Sequence, residues 1–430
     1  MSKLILIMID GISADLFEEA KSWLPNLHAL AQQGTRINAL TPEICGTSFP
    51  GRTSMIAGQT GAEHGVYGNK IWDGVEFRWA TPDDVLTDTV ATLAKRANKK
   101  VAGLGYGMVN TKDCDLYLAP WWSDETMNRA RPDDSSSLED KQALADKQAQ
   151  NQAAKDALTA HTKGRLAQLD QARFDTQVIN PNAAKYKDYN NTETMTFGML
   201  ADQQLLDIAA GLACSDDAPD FILLEIAATD YFLHKYGSDD PMMQHSLRTA
   251  DAQVGTLLER LRQAGKLDEY NFAIMSDHGH TAMRNAIYCD QILPEGTRWS
   301  SEGGMLLIAP RSQAEANEVT QTLLNAGLEV WNKDFLPEIQ RDELLVFTSK
   351  EGALISFERD LKGTGLEHGF SKYQSNHGMR PGSREDYRFC LFVGPDIQQQ
   401  EIEFAMASQV APTLASILKL DTPWPEESLC

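Results

Sequence analysis

Leu4-Ile5-Leu6-Ile7-Met8-Ile9-Asp10-Gly11 decides the fold. Six apolar residues in a row, ended by a carboxylate and a glycine, read as a short strand buried on both faces, the pattern of a parallel sheet covered by helices. Strand-like runs recur at 100–104, 221–226, 272–275 and 389–393, and helix-like stretches at 24–33, 85–97, 249–264 and 314–326 lie between them. That alternation predicts an α/β fold, a central, mostly parallel sheet sandwiched by helices. Such folds bind ligands beyond the carboxyl ends of their strands. Asp10 and, after the run at 272–275, Asp277 stand there. Gly11 permits a sharp exit from the strand. Alone, Asp10 would read as a turn or capping residue.

The 430 residues are 42% hydrophobic, enough for a large core around one sheet. The chain carries 39 basic and 61 acidic residues, a formal charge of −22. That charge disfavours nucleic-acid polymers and anionic membranes as partners. It also makes local positive charge, such as bound metal, more necessary for an anionic substrate. Cys45, Cys114, Cys214, Cys289, Cys390 and Cys430 are spread without a Cys-x-x-Cys pair and read as reduced thiols. The N-terminal apolar run is too brief for a secretory leader and lacks a small-residue cleavage site. No stretch is long enough to span a bilayer. The chain is therefore expected to be cytoplasmic, a single catalytic domain over 1–430.

Two regions depart from the alternation. From about 124 to 191 the sequence is rich in Ala, Gln, Asp and Lys with strong helical propensity, and is expected to form a helical cap or a dimerisation arm. A homodimer is the corresponding expectation. The stretch 286–367 carries strand-like segments at 305–308, 344–348 and 354–357 and is expected to form a smaller insertion with a side sheet.

Five local motifs carry chemistry. Asp10 ends the first strand. Thr47-Ser48-Phe49-Pro50-Gly51-Arg52 places a hydroxyl at a helix start, where a metal and the helix dipole could hold its oxyanion. Thr47 is a second hydroxyl and competes as nucleophile, while Ser48 could equally be a cap. Arg52 could clamp phosphate oxygens or form an ion pair. Asp230 and His234 stand four apart, on one face of a helical turn, able to grip one cation. Ser276-Asp277-His278-Gly279-His280 follows another strand. Successive side chains diverge, which by itself would send Asp277 and His278 to different ions. His280 reads as an exposed loop histidine, with a role behind the ligands or on substrate as the other reading. His377, in Asn376-His377-Gly378, supplies a last imidazole, with His368 nearby in similar surroundings. His28, His161 and His245 lie in helical patterns and read as structural or surface residues.

In combination these motifs resemble the alkaline phosphatase superfamily, and within it the nucleotide pyrophosphatase/phosphodiesterase branch. The resemblance rests on Ile9-Asp10-Gly11, Pro25-Asn26-Leu27 through Gly34, Ser48-Phe49-Pro50, Glu63-His64-Gly65-Val66, Asp230 to Gly237, Ser276-Asp277-His278-Gly279, His377-Gly378 and Ala411-Pro412-Thr413-Leu414. It covers both ends and the middle and leaves the two departing regions unmatched. It implies two Zn²⁺, with Mn²⁺ as the other candidate. One ion would be held by Asp230, His234 and His377, the other by Asp10, Asp277 and His278, with Ser48 bridging toward the second. It also implies a phosphate contact from Asn69. The chain departs from the family in having Gly51-Arg52 where an Asn usually follows Phe-Pro, and Ser-x-Pro-x-Arg also echoes the sulfatase signature. The expected activity is hydrolysis of small phosphate diesters or phosphonate esters through a covalent phospho-Ser48. A phosphomonoesterase, a sulfatase and a metal-dependent phosphomutase are the alternatives.

Overall fold

The computed structural model describes residues 2–42, 45–123, 192–380 and 382–430. The expected cap or arm at 124–191, and His161 with it, lies outside the described residues. The central sheet has eight strands: β1 (Lys3–Ile9), β2 (Thr35–Thr41), β3 (Val101–Leu104), β4 (Leu116–Leu118), β5 (Phe221–Ile226), β6 (Tyr270–Met275), β7 (Arg388–Val393) and β8 (Gln400–Met406). Their spatial order is β8-β2-β7-β6-β1-β5-β3-β4. All pairings are parallel except those of β7, which runs against both β2 and β6. The mostly parallel sheet is thus confirmed.

The first strand shows why its sequence is apolar throughout. Ile5, Ile7 and Ile9 enter one core, whereas Leu4, Leu6 and Met8 enter the core on the opposite face. Each such buried side chain stabilises the fold by about 1.5–3 kcal/mol. The helices Pro25–Ala31 and Pro241–Gln263 cover the first face, and the helices Ser48–Ala57 and Val410–Ile417 the second.

Three strands of the central sheet, β2, β4 and β8, escaped the sequence reading. β2 and β8 form an edge pair, with β8 mostly exposed, so neither shows a continuous apolar run. The helix expected at 249–264 begins earlier, at Pro241, where Asp240 caps the Met242 N–H and proline occupies the first turn. The region expected to hold one side sheet contributes to two. Arg298–Ser301, Met305–Ala309, Glu329–Val330 and Leu345–Thr348 form a four-stranded sheet. Ile355–Glu358 instead joins Asn285–Tyr288 and His368–Phe370. Among the described residues, no helix is long and apolar enough to cross a membrane.

Candidate active site

Parallel strands deliver their loops to one edge, and β7, running the other way, brings its entering loop to that same edge. Asp10 therefore follows β1, Asp277 and His278 follow β6, and the helix Ala228–Tyr236 that carries Asp230 and His234 follows β5. His377 arrives in the loop before β7. A two-residue bridge, Thr281 with Asn376, ties that loop to the one after β6 through two backbone hydrogen bonds of 2.9 Å. It sets His280 and His377 side by side.

These residues gather into two groups whose candidate ligand atoms lie within 4.8 Å of one another: Asp10, Asp277 and His278, and next to them Asp230, His234, His280 and His377. The divergence expected of Asp277 and His278 does not occur, because both stand beyond the end of β6, where the pleat no longer alternates side chains. His278 Nδ1 donates to the Gly279 carbonyl (3.1 Å), which turns Nε2 to within 3.1 Å of Asp10 Oδ1 and 3.2 Å of Ser48 Oγ. His234 is oriented in the same way, its Nδ1 donating to the Ser375 carbonyl at 3.1 Å. His368 is exposed on its strand and stands apart from both groups.

His280 corrects the sequence reading. It is buried, with Nε2 2.8 Å from Asp230 Oδ1 and Nδ1 3.0 Å from Ser375 Oγ. Ser375 therefore supports two imidazoles, one through its carbonyl and one through its hydroxyl. His28 is structural as read, stacked on Phe17 at 4.1 Å, and His245 is exposed. His64, from the Glu63-His64-Gly65-Val66 motif, is buried away from the site. It bonds Ser54 Oγ at 3.0 Å and accepts the Val66 N–H, so it holds the end of the nucleophile helix in place.

The donor set fits divalent metal ions. Burial lowers the pKa of His234, of His280 (to about 3) and of His377, so these rings are neutral, the form that binds metal. His377 Nδ1 is buried with no hydrogen-bond partner among the described residues. Burial and the nearby Asp277 push Asp10 up to about 7 despite Arg52. Burial would lower His278, but Asp277, Asp10 and Asp230 raise it to about 10. Carboxylates crowded at this spacing need positive charge between them.

Ser48 opens the helix Ser48–Ala57 and lines a cavity of about 500 Å³ together with Asp10, Asp230, His234 and His377. Thr47, fully buried, is not part of that lining. Gly51 has a steric cause: a Cβ there would stand 2.1 Å from the Asp277 carbonyl, so the helix can approach β6 only with glycine at this position. Asn69 lines the cavity, its Oδ1 accepting the Phe49 N–H at 2.8 Å, while among the described residues its Nδ2 makes no hydrogen bond. Arg52, expected to clamp phosphate, lines the same cavity, and its buried Nη2 meets the carboxylates of Asp10, Glu225 and Asp277.

The sequence reading missed Glu302 as well. Its carboxylate accepts the N–H groups of Asn69 (2.7 Å) and Lys70 (3.2 Å), and the Gly304 N–H that follows donates to the His377 carbonyl at 3.1 Å. Nothing local in Ser301-Glu302-Gly303 marks this role. Glu225 did leave a signal, as the one charged residue in the otherwise apolar, fully buried strand β5.

A family model described as type I phosphodiesterase / nucleotide pyrophosphatase matches residues 4–371. The chain belongs to that family. It is thereby placed in the nucleotide pyrophosphatase/phosphodiesterase branch of the alkaline phosphatase superfamily, as its motifs suggested, and is a phosphoric ester hydrolase. A bis(5'-adenosyl)-triphosphatase, enpp4 of Xenopus laevis, is 22% identical over 415 residues, covering 92% of this chain and 76% of that protein. The venom phosphodiesterase of Naja atra is 22% identical over 68% of this chain but only 27% of its own length. Murine ectonucleotide pyrophosphatase / phosphodiesterase 5 shares the fold, with a TM-score of 0.67 at 17% identity over 99% of this chain and 97% of that one. An inactive form of the same mouse protein, equally similar, is in complex with AMP.

Proposed function

We propose that this chain hydrolyses small phosphate diesters of the nucleotide type, or phosphonate esters, through a covalent phospho-Ser48. The observation that carries the reading is the placement of Ser48: its Oγ lies at a helix N-terminus, on the cavity, 3.2 Å from His278 Nε2, beside both ligand groups. Asp230, His234 and His377 would hold one zinc ion, and Asp10, Asp277 and His278 the other. The imidazoles favour zinc, with manganese next, over calcium. Bound there, the two ions supply Lewis-acid charge that favours the Ser48 alkoxide and stabilises the leaving oxygen.

Ser48 Oγ forms a bond to phosphorus as the bond to the leaving alcohol or phosphate breaks, and water then hydrolyses the phosphoserine. The helix N-terminus adds partial positive charge at the oxyanion. Asn69, oriented by Phe49 and by Glu302, offers its amide N–H to a non-bridging phosphate oxygen. Phe49, Trp79, Trp122, Tyr231 and Trp299 face the same cavity and give a flat base or aryl group something to stack on. The AMP held by the mouse fold neighbour makes nucleoside monophosphate esters the first substrates to try.

The test is turnover of zinc-loaded protein on p-nitrophenyl monophosphate, diester, phosphonate ester and sulfate. Preference for the diester or the phosphonate is the expected result, and Ser48→Ala should remove it by at least about 10³-fold with metal content unchanged. Dominant monoester turnover would make the chain a phosphatase, and sulfate turnover a sulfatase. Two bound metals without any turnover would point to a specialised substrate or a phosphomutase.

A further inference from the structure

The buried group behind the cavity asks for a separate explanation. Arg52 and Glu225 are each only 1% exposed. One guanidinium nitrogen, Nη2, meets three carboxylates at once: Asp10 Oδ2, Glu225 Oε1 at 3.0 Å and Asp277 Oδ2 at 3.0 Å. A guanidinium prefers to present its N–H groups as a fork, two to a carboxylate. Here a single nitrogen with two hydrogens faces three acceptors, and Nε, which completes the fork, is buried with no hydrogen-bond partner among the described residues. The nitrogen therefore sits as a point charge would, inside an oxygen-lined nest.

Glu225 reinforces this. It interrupts an apolar strand, its Oε1 is fixed by Trp122 Nε1 at 3.0 Å, and its Oε2 is buried with no hydrogen-bond partner among the described residues. A carboxylate buried in that way must take up a proton or answer a positive charge, and Arg52 Nη2 at 3.0 Å offers that charge. Two members of the nest, Asp10 and Asp277, also belong to the first ligand group, and Arg52 lies one helical turn from Ser48.

We propose that the Arg52 guanidinium is a built-in cation filling a third, all-oxygen cation position beside the two-metal site, where it positions Asp10 and Asp277. The inference rests on the two-metal reading given above. Three carboxylates facing one another repel without a cation at their centre. If the guanidinium is removed, the nest should recruit a hard divalent ion of the kind that oxygen ligands prefer, such as Mg²⁺.

The experiment compares zinc-loaded wild type, Arg52→Ala, Arg52→Lys and the double variant Arg52→Ala/Glu225→Gln, each equilibrated with millimolar Mg²⁺. Zinc and magnesium per chain are counted, and melting temperature is followed against Mg²⁺. Arg52→Ala is expected to take up one Mg²⁺ while keeping its zinc, and to melt higher as Mg²⁺ rises. Wild type, Arg52→Lys and the double variant should take up none. If Arg52→Ala folds only when refolded in Mg²⁺, that dependence is the same result, and failure to fold with or without Mg²⁺ counts against the proposal. Arg52→Ala with unchanged zinc and no magnesium would overturn it while leaving the two-metal reading intact. Wild type that binds fewer than two zinc ions would instead overturn the two-metal reading.

Discussion

The strand tips and the side-sheet wall build the same cavity by different means. At the tips, Asp10, Asp277 and the helix bearing Asp230 are placed by fully buried parallel strands, so their positions follow from the sheet register. On the wall, Glu302 and Asn376 come from loops far apart in sequence and are held by contacts between loops: Glu302 to the Asn69 and Lys70 backbone N–H groups, Asn376 to the Thr281 backbone and through Nδ2 to Ser356 Oγ at 2.8 Å. The glycines show how close these loops run. A Cβ on Gly303 would stand 2.1 Å from the His377 carbonyl, and one on Gly378 only 1.5 Å from the Glu302 carbonyl. The comparison teaches that buried strands set most of the ligands, whereas His377 and the groups facing substrate are carried by loops that lock against one another.

The comparison can be broken most forcefully at its joint, His377, a ligand carried by a loop. His377→Ala should lose one metal and nearly all turnover, and His368→Ala neither, as read by metal content and by rate. Loss from His368→Ala instead of His377→Ala would mean that the loop before β7 does not supply the ligand. The next effect concerns His280, which touches Asp230 from behind. His280→Ala should weaken metal binding by about 10–100-fold, measured by competition with a chelator. Unchanged affinity would return it to the role of a filler.

Glu302→Ala then probes the wall alone. Turnover should fall by about tenfold with zinc content unchanged, because Asn69 and Lys70 lose the acceptor of their backbone N–H groups. Loss of metal in that variant would erase the distinction between wall and tips. The smallest effect is on stability. Asp202 accepts the Ala228 N–H and Trp121 Nε1 beneath the Asp230 helix, and burial raises its carboxyl from the ordinary 3.8 to about 7 despite those bonds. A raised carboxyl favours the folded state fully below its unfolded pKa, and that contribution fades as pH climbs through about 7. Asp202→Asn removes the titration, so the drop in melting temperature between about pH 5 and about pH 8 should shrink. An unchanged drop would exclude Asp202 as its source.

Much of this molecule could be read before any coordinates. The buried strands announced themselves because a strand covered on both faces must be apolar at every position, as β1 and β5 nearly are. Asp10, Asp277 and His278 were legible for the same reason, as polar residues where such a run stops. Asp230 and His234 were legible from helical spacing. The edge pair β2 and β8 was not, since a strand with an exposed face needs no continuous apolar run.

What the sequence determined by itself is the sheet, the side of it on which chemistry gathers, and a ligand set drawn from its strand ends, all consequences of local pattern and chain direction. Only the tertiary structure decided that His280 turns inward onto Asp230, that Ser375 holds two imidazoles, and that Arg52, on the cavity wall, gives one nitrogen to three carboxylates. Those outcomes depend on which groups from distant segments meet in a buried space. There a charge must find a counter-charge and an N–H an acceptor, a condition that no single stretch of sequence can express.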